Sequence, residues 1–350
     1  MTRRGRASPW ARSFQRSLQR SFSALTRSAL RAGTQAVRTA AKKTVKRASK
    51  AAAAKRTLPV GPGRWVTGVA LGAGGARRYR LYVPPGVAPG PRAAASVPLV
   101  VMLHGCGQDA ASFARSTRIH RLAAREGCFL LFPEQERMAH AQGCWNWFQT
   151  RSGRAQGEAG SILAAIDHVL ALYPIDASRV AVAGLSAGAG MAALLALHHP
   201  ERFAAVALHS GIGPSVAHSS ASALAAMQGR GKPAAPAGTG VAPLPPLLVI
   251  HGGRDHVVAP GNGRAVATWW AAALGARAGA PRDVQRGQRH PTTVTDFKAG
   301  ASVAVTLVEV PALGHAWSGG AAAQPFSDPH GPDASRMIWS FAARQFRRGG

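Results

Sequence analysis

The pentapeptide Gly184-Leu185-Ser186-Ala187-Gly188 constrains this chain more than any other feature. An apolar run, Val180 to Gly184, enters it, and a helical run of small residues, Ala187 to His199, leaves it. Glycines two before and two after a serine fit a sharp strand-to-helix turn, whose strained backbone projects the hydroxyl from the end of a sheet in front of a helix N-terminus. In a chain with 40 glycines the plain alternative is a tight turn without chemistry. The order of the residues that follow argues for more than a turn.

Two further strand ends carry polar residues. Pro246 to Ile250 reads as a buried parallel strand and runs into His251-Gly-Gly-Arg-Asp255, while the β-branched run Ser302 to Val310 leads to Gly314-His315-Ala-Trp317. Serine, carboxylate and histidine thus follow one another along the chain, each at a strand end. A serine hydroxyl is a weak nucleophile until a base takes its proton, and a histidine can accept and return that proton near neutral pH. A carboxylate fixes the histidine tautomer and stabilises the imidazolium. Asp296 and Asp333 are rival carboxylates, lying outside the strand-end turn.

A fourth apolar run, Val97 to Leu103, ends in His104-Gly-Cys106-Gly-Gln108. Its position makes the amides of Cys106 and Ala187 the expected oxyanion-binding pair. His104 is read as a buried side chain that braces the loop. The remaining apolar runs, near Tyr79 to Val83, Cys128 to Phe132 and Phe203 to Leu208, alternate with helical stretches at Asp109 to Glu126, Glu158 to Leu172, Gly263 to Leu274 and Asp333 to Phe346. That alternation predicts an α/β fold with a mainly parallel sheet and helices on both faces. Residues 213–246, rich in Ala, Pro, Gly and Ser without apolar periodicity, are expected to be a loop or cap insertion. Arg282 to Gly300 reads as a polar excursion or hairpin before the last strand.

The blocks His104-Gly-Cys-Gly-Gln108, Phe132-Pro-Glu-Gln135, Cys144-Trp-Asn-Trp-Phe148, Gly184-Leu-Ser-Ala-Gly188, His209-Ser-Gly211, His251-Gly-Gly-Arg-Asp255 and Gly314-His-Ala-Trp-Ser-Gly-Gly320 resemble the poly(3-hydroxybutyrate) depolymerase family of esterases. That family neighbours the feruloyl and acetylxylan esterases, and the resemblance runs from about Trp65 to Phe346. It implies an α/β-hydrolase fold and a serine esterase whose catalytic residues match Ser186, Asp255 and His315. The expected substrates are 3-hydroxyalkanoate polyesters or their oligomers, with a carbohydrate esterase as the alternative. No metal or other cofactor is implied. An answer of another class is a basic granule- or nucleic-acid-binding protein whose hydrolase domain serves as scaffold.

Trp145, Asn146, Trp147 and Trp317 are candidate substrate-binding residues. One tryptophan of the Trp145/Trp147 pair is expected in the core and the other, with Trp317 beside His315, as a flat apolar wall; Asn146 would give the ester a polar contact. Of the three cysteines, Cys128 reads as a buried apolar residue. The family resemblance suggests a Cys106–Cys144 disulfide, whereas the lack of an export signal makes reduced thiols the simpler expectation.

The first 64 residues are different material. They hold 17 of the 43 Lys and Arg residues and no Asp or Glu, the first acidic residue being Asp109. Domain boundaries at 1–64 and 65–350 follow. No apolar h-region follows the first arginines and nothing is long enough to span a membrane, which favours a cytoplasmic or granule-associated protein over an extracellular one. A disordered or partly helical arm is expected, with Leu18, Phe22, Leu25 and Leu30 at near-helical spacing, able to meet nucleic acid or a polyester granule surface through charge. The sequence leaves oligomeric state open.

Overall fold

The computed structural model describes residues 57–88, 90, 96–231 and 243–348. The basic extension up to residue 56, with the proposed helix around Leu18 to Leu30, lies outside the described residues, as do residues 232–242 of the expected loop.

The strands of the main sheet are β1 (Arg64–Gly72), β2 (Gly75–Val83), β3 (Val97–Leu103), β4 (Phe129–Pro133), β5 (Ile175–Leu185), β6 (Ala205–His209), β7 (Leu247–Gly252), β8 (Arg277–Ala278), β9 (Arg282–Val284), β10 (Thr292–Ala299) and β11 (Ser302–Val310). Helices α1 (Ala110–Thr117), α2 (Ile119–Glu126), α3 (Arg154–Leu172), α4 (Ala187–His198), α5 (Ser220–Met227), α6 (Gly261–Ala273) and α7 (Ala334–Phe346) connect or follow them. The strand order is β1-β2-β4-β3-β5-β6-β7-β11-β10-β8, with β9 pairing β10. Every pairing from β4 through β3, β5, β6 and β7 to β11 is parallel, and the flanking pairings are antiparallel.

The period of two along the central strands builds the core. Leu99, Val101 and Leu103 of β3 face one apolar cluster, formed with α3, α4 and α6, while Val100 and Met102 face another, formed with α1, α2 and α7. Both faces of the parallel strands are therefore covered, which is why these strands are continuous apolar runs. Helix α4 is made of small and aliphatic residues on all sides and is buried for most of its length, as a helix enclosed by its neighbours must be.

The structure departs from the sequence expectations at four places. Residues 58–64 pack with the sheet domain: Trp65 Nε1 donates to Pro59 O at 3.0 Å and the Tyr82 hydroxyl to Pro62 O, so the compact unit begins at Leu58. Strand β1 went unforeseen because it is a partly exposed edge strand with little apolar alternation. The single helix expected over Asp109 to Glu126 breaks in two at Arg118, whose backbone is left-handed (φ 52°) and whose Nη2 donates to Gly319 O and Gly320 O. Within the loop or cap insertion expected over 213–246, α5 forms behind a Ser219 capping box with Ser222, a helix the sequence reading did not place. The hairpin expected in Arg282 to Gly300 is present as β9 and β10.

Candidate active site

Strand β5 ends at Leu185 and α4 begins at Ala187, leaving Ser186 alone in the turn at φ 57° and ψ −118°. A positive φ on a non-glycine residue costs on the order of 1–3 kcal/mol and persists only where the surroundings enforce it. Here they do. A Cβ on Gly184 would stand 2.3 Å from the Gly188 carbonyl, and one on Gly188 would stand 2.2 Å from Leu103 O, so the two flanking glycines allow strand and helix to close around the serine. The Ser186 amide donates to His209 O at 2.9 Å, tying the turn to the end of β6.

Asp255 lies in the turn after β7, its side chain wholly buried. Oδ1 accepts the amides of Val257 and Val258 at 2.9 and 2.8 Å, and Oδ2 lies 2.8 Å from His315 Nδ1. His251 Nε2 is 3.6 Å from the same oxygen. Burial pushes the Asp255 carboxyl up, but the charge and hydrogen bond of His315 together with His251 and the Val258 amide outweigh it and hold the group below its ordinary range. The carboxylate fixes the proton of His315 on Nδ1 and leaves Nε2 as the acceptor. His209 links the pieces: its carbonyl holds the Ser186 amide, its Nε2 accepts the Ser318 amide at 3.1 Å, and its ring stacks on Trp317 at 5.0 Å. Burial holds His209 neutral, with its pKa lowered to about 3.

The loop after β3 is fixed from several sides. Gly105 N donates to Gln108 Oε1 at 3.0 Å and Gly107 N to Gln142 O at 2.8 Å, whereas the Cys106 amide between them has no acceptor among the described residues. Ala187 opens α4, so its amide is one of those left without an intrahelical acceptor. His104 is fully buried as expected, donating from Nδ1 to Gly105 O and accepting the Gln135 amide at Nε2. Burial lowers its pKa to about 4, against the raising effect of the Gly105 carbonyl and Asp109.

The aromatic wall is not where the sequence reading put it. Trp145, Asn146 and Trp317 are all 0% exposed. Trp145 donates to His104 O at 3.0 Å and receives the Arg77 guanidinium on its ring; Trp317 donates to Ser335 Oγ at 3.2 Å. Asn146 turns to Glu158 and offers no contact to an ester. Trp147, 8% exposed, packs over Gly190 of α4. Cys106 and Cys144 are joined in a disulfide, as the family resemblance suggested and against the reduced thiols that the lack of an export signal favoured, and Cys128 is free and buried, its thiol pushed up by burial.

Sequence reasoning missed two features. Phe326 has a left-handed backbone (φ 55°) and lies beside the loop after β3, where a Cβ on Gly107 would stand 3.8 Å from its ring. Its carbonyl accepts the Trp317 amide at 2.8 Å. The second is a buried polar network of Arg77, Gln135, Asn146 and Glu158. No sequence signal marks Phe326; of the network, Gln135 and Asn146 lie in blocks of the family resemblance and Arg77 and Glu158 in none. Of the rival carboxylates, Asp296 is held by Arg282 and Thr306, both at 2.6 Å, and Asp333 caps α7. Among the described residues no three His, Cys, Asp or Glu side chains converge as a metal site requires, and no helix is long and apolar enough to cross a membrane.

Sheet order, elbow and strand-end loops together define an α/β-hydrolase fold. A solved acetyl xylan esterase from Aspergillus awamori shares that fold, with a TM-score of 0.56 and 20% identity over 72% of this chain and 94% of its own. Residues 77–281 match the family described as Esterase PHB depolymerase, and the chain belongs to that family. It is 37% identical to poly(3-hydroxyalkanoate) depolymerase C of Paucimonas lemoignei over 48% of this chain and 43% of the relative. It is 34% identical to feruloyl esterase B of Neurospora crassa over 42% of this chain and 48% of that one. The match thus spans less than half the length of either relative.

Proposed function

We propose that this protein is a serine carboxylic ester hydrolase working through an acyl-enzyme. In this reading Ser186 attacks the ester carbonyl, His315 Nε2 takes its proton and returns it to the leaving alcohol, and Asp255 holds the imidazole. The amides of Cys106 and Ala187 receive the oxyanion, and water then releases the acid through the same base. The observation that carries the proposal is the 2.8 Å contact of a buried Asp255 with His315 Nδ1, alongside a serine held at positive φ between strand and helix. Ser186→Ala should lower turnover of a short p-nitrophenyl ester on the order of 10³-fold or more with the fold intact, because the attacking group is gone. Wild-type-like turnover by that variant would remove the assignment.

For the substrate we propose 3-hydroxyalkanoate polyesters or oligomers, supported by family membership and the depolymerase relative. A carbohydrate ester is the second reading, supported by the feruloyl esterase relative. Parallel assays on polymer, hydroxybutyrate oligomers and acetylated xylan separate the two. The Cys106–Cys144 disulfide favours an oxidising, extracellular compartment over the cytoplasm. The basic extension is proposed to bind polyanions or a polyester granule surface by charge. Binding of the full chain should then weaken steeply with salt, and removal of residues 1–55 should leave turnover of a soluble ester unchanged. Salt-independent binding would refute the first claim, and loss of turnover on truncation the second.

A further inference from the structure

The geometry points to Glu158, on α3, as a positioning residue for the loop that carries the Cys106 amide; this rests on reading that loop as the oxyanion site. Its carboxylate is almost wholly buried and takes three donors. Oε1 accepts Gln135 Nε2 at 2.7 Å and Asn146 Nδ2 at 2.5 Å, and Oε2 accepts the Asn146 amide at 2.8 Å. Each partner also grips the loop or its disulfide. Gln135 gives its amide to His104 Nε2 at 3.1 Å and its Nε2 to Cys144 O at 3.1 Å. Trp145, between Cys144 and Asn146, donates to His104 O at 3.0 Å, and Cys144 is bonded to Cys106 itself. Arg77 closes the network by donating to Gln135 Oε1 at 2.8 Å, Glu134 O at 2.9 Å and Ser161 Oγ at 3.0 Å. Glu158 therefore anchors three of the ties that fix His104 to Cys106, from a helix that contributes nothing to the site directly.

The residue type follows from the donor count. Three N–H groups from two directions need two acceptor oxygens, which a carboxylate has and a carboxamide lacks. A glutamine at 158 would either meet the Asn146 amide with its own N–H or abandon Gln135 and the Asn146 side chain. A buried donor left unmatched shifts until it finds a partner, and here the shift passes to the Cys106 amide. Displacement of about 1 Å in a catalytic group can cost on the order of 10²-fold, and losing one oxyanion donor about 10²–10³-fold.

The test is steady-state kinetics of Glu158→Gln on a short p-nitrophenyl ester and its thionoester, in which sulfur replaces the carbonyl oxygen. Sulfur is a larger and weaker acceptor, so the oxo/thiono ratio of kcat/KM reports on the oxyanion donors, which a general loss of stability would not change. We expect folded Glu158→Gln to lose about 10–100-fold in kcat, keep KM within threefold, and show a smaller oxo/thiono ratio. A folded variant with wild-type kcat, or one whose kcat falls with the ratio unchanged, overturns the proposal. Should Glu158→Gln fail to fold, Asn146→Ala carries the same test, with a several-fold fall in kcat and the same change in ratio expected, and wild-type values overturning it. The two readings fail separately: an active Ser186→Ala removes the esterase assignment, whereas an inactive Ser186→Ala beside a wild-type-like Glu158→Gln removes only the role given to Glu158.

Discussion

Both oxygens of Asp255 are committed, and that fixes what an amide in its place would do. Two backbone amides, of Val257 and Val258, demand an acceptor at Oδ1. An asparagine must therefore turn its NH₂ toward His315 Nδ1, which then accepts and moves the ring proton to Nε2, where the serine proton should go. Asp255→Asn should keep the fold and lower kcat on the order of 10³-fold or more, while Asp296→Asn should leave it near wild type. The reverse result would move the acid to Asp296. The same carboxyl acts on stability. Its folded pKa lies below the unfolded value, so its contribution is present above the ordinary aspartate range and lost as pH falls through the depressed value. The strand-end positions of Ser186, Asp255 and His315 were legible in the sequence, because the carboxyl ends of parallel strands share one edge of the sheet, and the Asp255–His315 contact is seen there. Trp145 fills the core as one of its pair was expected to, whereas Asn146 and Trp317 are buried rather than facing a cleft, because a polar or aromatic residue beside a motif fits core and cleft equally well and only packing decides. Arg77 gave no signal, since its partners lie 57 to 84 residues away, and Glu158 gave none, since Gln135 and Asn146 sit in an irregular segment whose path the sequence does not set.

At the scale of elements, the apolar strands were readable because both their faces are buried, whereas β1 at the edge of the sheet was not. The helix break at Arg118 was invisible for a related reason: the carbonyls that reward the turn, at Gly319 and Gly320, lie about 200 residues away. The segment between β4 and α3 has no regular structure, yet it holds the loop after β3 through the disulfide and the hydrogen bonds around His104. The disulfide joins residues 38 apart, and closing a loop of that size restricts the unfolded chain by about 3–4 kcal/mol in the chain-entropy estimate. Cys144→Ser, which leaves the Cys106 amide in place, should lower unfolding stability by roughly that amount. Its effect on kcat should be smaller than that of Glu158→Gln, because the ties to His104 remain. Urea unfolding with and without reductant checks this, and a wild-type protein indifferent to reductant would contradict it.

The whole molecule is strongly basic, at +29 formal charge, and it encloses imidazoles that must stay uncharged. His104 and His209 have no exposure to speak of, and burial lowers their pKa values to about 4 and about 3; His251 is lowered for the same reason. In the unfolded chain these groups titrate near 6.5. Between that pH and the folded values the unfolded state binds protons that the native state refuses, so stability must fall as pH falls. Each such histidine contributes about 1.4 kcal/mol per pH unit, so His104 and His209 together should take away about 3 kcal/mol per unit below pH 6. Neither imidazole can charge without losing a bond it accepts at Nε2, from the Gln135 amide in one case and the Ser318 amide in the other. Urea midpoints measured from pH 7.5 to 4.5 should drop steeply through this window. His209→Asn, though less stable at pH 7.5, should show a slope shallower by about one proton, as expected when one titrating group is removed. Stability that stays flat to pH 4.5, or an unchanged slope in the variant, would show that the native fold admits these protons and that the imidazoles are not held neutral.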